Sequence, residues 1–247
     1  MSIFTMENNS NNNKKSEISI HKRYVLVFDV ETTGLIPKKT PNDTTPVSIT
    51  EYPHIIQFSH TLYDTFANTV ECSSDSYIHI PHDVAISEFV TNLTGISLDD
   101  CYTKGRDIVD VLIDFSAVYK KSNVLVAHNI DFDSNMIMIE VQRNKEELLK
   151  RAPECFMLFN HMFERTNNIE RYCTMMKGIE MCNIKIESKT EGKPPRKKWP
   201  KLFELYEHLF HGEKVEGLHN AAVDVETCLK CYLKMRHNYM FDKNNNL

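Results

Sequence analysis

One stretch constrains this chain more than any other: Tyr24-Val25-Leu26-Val27-Phe28-Asp29-Val30-Glu31-Thr32-Thr33-Gly34. Its near-continuous run of β-branched and aromatic residues predicts a strand buried on both faces. Two carboxylates, Asp29 and Glu31, stand at the C-terminal end of that strand. Side chains at i and i+2 share a face, roughly 7 Å apart at ~3.3 Å rise per residue. Two anions so placed repel each other and resist desolvation. A divalent cation removes both difficulties, and hard oxygen ligands suit Mg2+ or Mn2+ rather than zinc. On this stretch alone, a strand ending in a polar turn with both acids solvated is an equal account.

The 247 residues suffice for one large domain or two small ones. A 41% hydrophobic and 26% charged composition is that of a soluble globular protein. No apolar run approaches the roughly 18 residues that cross a bilayer, so no membrane partner is expected. Residues 1–20 are polar and Asn-rich, without the apolar core of a signal peptide. That predicts an intracellular protein, cytoplasmic or nuclear and not secreted. The seven cysteines are odd in number and scattered, which argues against a disulfide framework. The net charge of −5 tells against binding nucleic acid by bulk charge, though not against local basic patches.

Along the chain, residues 1–20 predict a disordered polar tail and residues 241–247 a second polar tail. Residues 37–53, with Pro37, Pro41 and Pro46, predict a surface loop. Strands follow at 54–63 and, shorter, near Thr69–Cys72, forming an antiparallel meander with the first. Asn92-Leu93-Thr94-Gly95-Ile96-Ser97 predicts a helix end followed by a new cap. Ile108, Val111, Leu112, Phe115 and Val118 mark one buried helix face. Val124–Ala127 is a short buried strand, and Phe132 and Met136 begin another helical period.

Between 185 and 201, seven basic residues face two glutamates, a local excess of five positive charges. Pro194 and Pro195 forbid a regular helix there, so 185–200 is a second surface loop. A helix restarts at Leu202, and a last one runs from about Asn220 to His237. No internal repeat is present. Strands first, with helices interspersed from the middle onward, predict an α/β layer around a mixed sheet.

Two further segments place an acid five residues after a histidine: His128-Asn129-Ile130-Asp131-Phe132-Asp133 and His219-Asn220-Ala221-Ala222-Val223-Asp224. With Asp29-Val30-Glu31-Thr32-Thr33-Gly34, they resemble the three ordered motifs of the DEDDh 3′→5′ exonucleases. That is the family of the proofreading subunit of bacterial DNA polymerase III. All three occur in order over about 195 residues, a far more specific signal than any one alone. Thr94-Gly95-Ile96-Ser97 is similar to the Thr-Gly-Ile-Thr segment of these enzymes, and Cys173-Thr174-Met175, 198–206 and Leu209-Phe210 are similar to the three-prime repair exonuclease branch. The resemblance covers nearly all of 22–236, and the domain it predicts spans 21–240. The 37–53 loop has no parallel, apart from the Tyr52–Gln57 end.

The resemblance implies an RNase H-like fold, a mixed β-sheet flanked by helices on both faces. It implies a metal-dependent 3′→5′ exonuclease that releases nucleoside 5′-monophosphates, with nucleic acid 3′ ends as partner and DNA favoured over RNA. Asp29, Glu31, Asp133 and Asp224 would hold two Mg2+ or Mn2+ ions, whose ~3.5–4 Å separation suits an in-line displacement at phosphorus. His219 would be the general base, since an imidazole titrates near working pH at about 6.5. Asp131 competes with Asp133, and the motif favours Asp133; Asp131 is then solvated or a helix cap. Thr32, Thr33, Gly34 and Leu35 would seat the terminal nucleotide, with Leu35 against the base; an ordinary turn is the bland account. Gly34 would allow close approach or positive φ. Asn129 is a candidate substrate contact, although it and Asn220 read rather as helix caps or braces of the neighbouring loop.

The basic run with Trp199 offers phosphates a track and a base a stacking face, though a merely soluble loop explains it equally. Trp199 itself reads as packing rather than stacking, beside Pro200 and Leu202. Cys228-x-x-Cys231 reads as core rather than a zinc pair, because no nearby ligands complete four. His128 reads as a structural hydrogen-bonder. The rivals are an exoribonuclease of the same superfamily and a non-catalytic nucleic-acid-binding module, though the latter would be expected to lose an acid or the histidine. A homodimer and an association with a polymerase are both left open.

Overall fold

The computed structural model describes residues 22–38, 45–187 and 194–238. The two polar tails and the middles of both expected loops lie outside the described residues.

The strand over Tyr24–Thr32 (β1) sits at the centre of a five-stranded sheet. It pairs antiparallel with Ile55–Asp64 (β2), which pairs antiparallel with the edge strand Thr69–Tyr77 (β3). The helices Glu88–Thr94 (α1), Leu98–Lys104 (α2) and Ile108–Tyr119 (α3) lead to Val124–Ala127 (β4), parallel to β1 on its other side. Next come Ile130–Arg143 (α4), Lys145–Arg151 (α5) and His161–Thr166 (α6). Glu170–Cys173 (β5) follows, parallel to β4. The order is β3-β2-β1-β4-β5, a mixed sheet. After it come Thr174–Cys182 (α7), the ribbon strands Lys185–Ile186 (β6) and Arg196–Lys197 (β7), Leu202–Leu209 (α8) and Ala221–His237 (α9).

Alternation along β1 divides the core. Leu26, Phe28 and Val30 pack with Phe58, Phe115, Met136 and Ile137, on the face covered by α3 and α4. Val25 and Val27 pack with Val126, Val225, Leu229 and Tyr232, on the face covered by α9. Helices on both faces of a mixed sheet match the expected architecture. Asp29 and Glu31 continue the odd-numbered series and so turn toward the α9 face.

Local signals explain several boundaries. Gly95 closes α1 in the left-handed region at φ 75°, and Ser97 opens α2 with Asp100 in a capping box, as the 92–97 segment predicts. Asp107 caps α3, accepting from the Val109 amide. Cys228 lies 3.5 Å from the Thr174 hydroxyl, and Cys231 packs with Leu205 and Leu209, so both thiols face the interior.

One expectation needs correction, and two gain detail among the described residues. The third strand runs to Tyr77 rather than Cys72, because pairing with β2 carries the polar run Ser73–Ser76 that lacks an apolar alternation. The 37–53 segment contains one 3-10 turn, Ile49–Glu51, capped by Ser48 with Glu51 reaching back. The ends of the 185–200 segment pair as an antiparallel ribbon, Lys185 opposite Lys197 and Ile186 opposite Arg196. Among the described residues no helix is long and apolar enough to cross a membrane.

Candidate active site

The three acid motifs arrive from three elements. Asp29 and Glu31 come from the end of β1, Asp133 from the first turn of α4, and Asp224 from the first turn of α9. The Val30 amide donates to Asp133 Oδ1 at 3.2 Å, joining α4 to the strand that carries the other pair. Asp133, rather than the exposed Asp131, is therefore the buried acid of that helix.

Crowding and burial set the charges. Burial, then Asp133, Asp224 and Glu31 in that order, hold Asp29 well above the usual carboxylate range. Burial and then Asp224 push Glu31 up to about 8. Burial raises Asp133 well above its ordinary value, against the Val30 hydrogen bond. Asp224 is pushed up to about 6, mainly by burial, while the His219 amide, 3.2 Å from Oδ2, opposes the rise. The other oxygen, Asp224 Oδ1, is buried with no hydrogen-bond partner. A buried carboxylate oxygen without a partner is costly unless something else neutralises it.

His219 precedes α9 in the left-handed region, at φ 68°. Burial and then Lys201 lower its imidazole below the ordinary value, favouring the neutral, proton-accepting form. Ligand atoms of Glu31, His219 and Asp224 lie within 4.8 Å of one another. Asp29 and Asp133 join this group through the charges they impose, outside that closest trio. An oxygen-rich donor set with one orphaned carboxylate oxygen fits a hard divalent cation.

The remaining expected residues divide. Thr33 and His54 bind each other twice, Thr33 N to His54 O at 2.9 Å and His54 N to Thr33 Oγ1 at 3.0 Å. Thr32 Oγ1 donates to Gly34 O at 2.6 Å, so both threonines brace the turn. Gly34 is not among the positive-φ glycines, contrary to one expectation; a Cβ there would meet open space. Leu35 is 76% exposed. Asn220 caps α9 through Ala222 N. Asn129 does not cap with its side chain: it sits in the left-handed region and its carbonyl accepts from Phe132 N. The residue itself is exposed.

His128 is structural, as expected. Its Nε2 donates to Pro200 O at 3.0 Å, so its Nδ1 accepts from the Thr174 hydroxyl, also at 3.0 Å. Burial lowers its pKa to about 4. Trp199 is the clearest reversal: it is 60% exposed rather than packed. Pro200 turns inward in its place, next to Gly178 and Leu205. Trp199 lines a hollow of about 350 Å³ with Ile186, Arg196, Lys197 and Lys198. Lys197 pairs with Glu180, and Lys198 with Glu204 at 2.5 Å.

Gln57 escaped the sequence reading. It is fully buried, pairs in register with Glu31, and its Oε1 accepts from Ala221 N at 3.1 Å. The available signal was a polar residue inside the run Ile55-Ile56-Gln57-Phe58.

A family model described as an exonuclease matches residues 26–232. The DNA polymerase III PolC-type of Caldanaerobacter subterraneus subsp. tengcongensis is 28% identical over 154 residues, 62% of this chain and 10% of that protein. That of Lactococcus lactis subsp. lactis is 29% identical over 130 residues, 53% of this chain and 7% of that protein. The chain thus spans a tenth or less of the length of these relatives. Among solved structures, E. coli exonuclease I in complex with a dA16 oligonucleotide superposes with TM-score 0.56 at 17% identity, over 88% of this chain and 42% of that one. A 3′-exonuclease that recognises a histone mRNA stem-loop gives TM-score 0.56 at 16% identity, over 87% of this chain and 64% of that one. The chain belongs to the exonuclease family whose model it matches, the group its three acid motifs resemble.

Proposed function

We propose that this chain is a metal-dependent 3′→5′ exonuclease acting on single-stranded or frayed DNA ends and releasing nucleoside 5′-monophosphates. The observation that carries the proposal is the convergence of four carboxylates with His219, one carboxylate oxygen being buried and unpartnered. Asp29, Glu31, Asp133 and Asp224 would hold Mg2+ or Mn2+, which supplies Lewis-acid stabilisation to the attacking and leaving oxygens. His219, its basicity lowered by partial desolvation and then by Lys201, accepts the proton of the attacking water. Water adds to phosphorus, the P–O3′ bond breaks, and the departing 3′-oxygen takes a proton from solvent to become the shortened strand's 3′-hydroxyl. The braced turn at Thr32–Gly34 and the exposed Leu35 receive the terminal nucleotide. Arg196 and Trp199 give the preceding strand a positive contact and a stacking face, beside Lys197 and Lys198, which already pair with Glu180 and Glu204.

Cleavage of a 5′-labelled oligonucleotide, as DNA and as RNA, with Mg2+, Mn2+ or EDTA, tests this reading. A metal-dependent ladder shortening from the 3′ end is expected, faster on DNA. A faster RNA ladder would select the exoribonuclease reading, which the equal likeness to the histone-mRNA 3′-exonuclease keeps in view. His219→Ala should turn over at least ~10²-fold slower, the scale of a lost general base. Near-normal turnover in that variant would remove His219 from the role.

A further inference from the structure

The turn that carries His219 and Asp224 is docked onto the sheet by one buried side chain. The first turn of a helix leaves its backbone amides without intrahelical partners. In α9, Asn220 takes the Ala222 amide at 3.1 Å, and the Ala221 amide crosses to Gln57 Oε1 on β2, also at 3.1 Å. The Gln57 amide cannot turn over freely. Its Nε2 donates to Asp75 Oδ1 on β3 at 2.9 Å, and a carboxylate can only accept. Asp75 thus orients Gln57, and Gln57 presents its oxygen to α9. Gln57 also stands opposite Glu31 in the β1–β2 register, so it shares a sheet face with that acid.

We infer that Gln57 is a positioning residue, held by Asp75, that sets His219 and Asp224 against Glu31. Its catalytic consequence rests on the nuclease reading above; its docking role does not. The chain of contacts runs from the edge strand inward: Asp75, Gln57, Ala221, and from there two residues back to His219 and three forward to Asp224. The His219 amide closes the loop on Asp224 Oδ2, so the turn moves as a unit with the helix start. Losing the Gln57 oxygen frees that unit from the sheet while leaving every proposed metal ligand in the sequence.

Two readouts on the full chain test this. In metal-free protein, amide exchange across residues 217–226 should speed about tenfold in Gln57→Ala, the scale of one buried hydrogen bond. Gln57→Glu should also loosen the segment, because two carboxylates then face each other at Asp75. Pairing Gln57→Glu with Asp75→Asn restores a donor opposite an acceptor and should return exchange toward the parent rate. With oligonucleotide and metal, Gln57→Ala should lose about tenfold in kcat with KM nearly unchanged, since the loss falls on alignment rather than strand binding. Unchanged exchange at 217–226 in a folded Gln57→Ala protein overturns the docking role. So does a double variant no better than Gln57→Glu. Parent-like kcat in Gln57→Ala overturns the catalytic consequence. An inactive parent protein would instead remove the nuclease reading, and the exchange result would still decide the docking.

Discussion

Asp224 carries two unlike oxygens, one accepting the His219 amide and one buried with nothing to accept. Asp224→Asn should abolish metal-dependent cleavage yet raise the melting temperature of the metal-free protein, because a charge leaves a crowded acidic cluster. A variant that melts lower would indict folding rather than ligand loss. Trp199 offers a second residue-scale test, since it is the single tryptophan of the chain. Single-stranded oligonucleotide added in EDTA should quench its fluorescence. Trp199→Ala should weaken binding about tenfold, within the ~1–3 kcal/mol of a stacked base. Unaltered fluorescence together with unaltered affinity would return Trp199 to the status of a bystander.

Among the elements, β2 carries the least expected chemistry. His60 is 3% exposed between Phe58 and Phe115, with ring centroids at 6.1 and 5.4 Å, and its Nδ1 has no partner. Burial lowers its pKa from 6.5 to about 4. The folded state therefore binds fewer protons than the unfolded state between those values, so stability falls as pH drops from 6.5 toward 4. A shift of that size is worth roughly 3 kcal/mol by pH 4. His60→Leu should flatten this acid limb, which urea titrations at pH 7 and pH 5 would measure; an equally steep limb would exclude His60 as its source. The elements differ in how legible they are in sequence. β1, β4, α3 and the Gly95–Ser97 junction announce themselves because apolar period and caps agree. The second half of β3 does not, because an edge strand facing water needs no apolar alternation. The acids and His219 are legible since they stand in three ordered motifs of fixed residue types. Gln57 and the exposure of Trp199 depend on what lies opposite them in space, which no local pattern records.

For the molecule as a whole, the acid cluster couples stability to pH and metal. Glu31 is raised to about 8 and Asp224 to about 6, so the metal-free folded state binds more protons than the unfolded one. The stability these groups contribute is present below their unfolded values near 4 and is lost as pH rises through about 8. Under the proposed function, bound metal would reverse the trend, since it competes with those protons. At a hundredfold excess over Kd it should add about 2.7 kcal/mol, or about 5–10 °C in Tm. Thermal melts with EDTA or Mg2+ from pH 6 to 8.5 should show the gap widening with pH; a constant gap would mean the metal binds elsewhere. The position of α9 along the chain has a consequence for synthesis. It is the last of the described elements to leave the ribosome, yet it covers the Val25–Val27 face of β1, the first of the described strands. At ~5–20 residues per second, that face and the four-acid set wait on the order of ten seconds or more for their final member. Until the last of the described helices arrives, the nascent chain lacks one of its four clustered acids and the apolar face of β1 needs shelter.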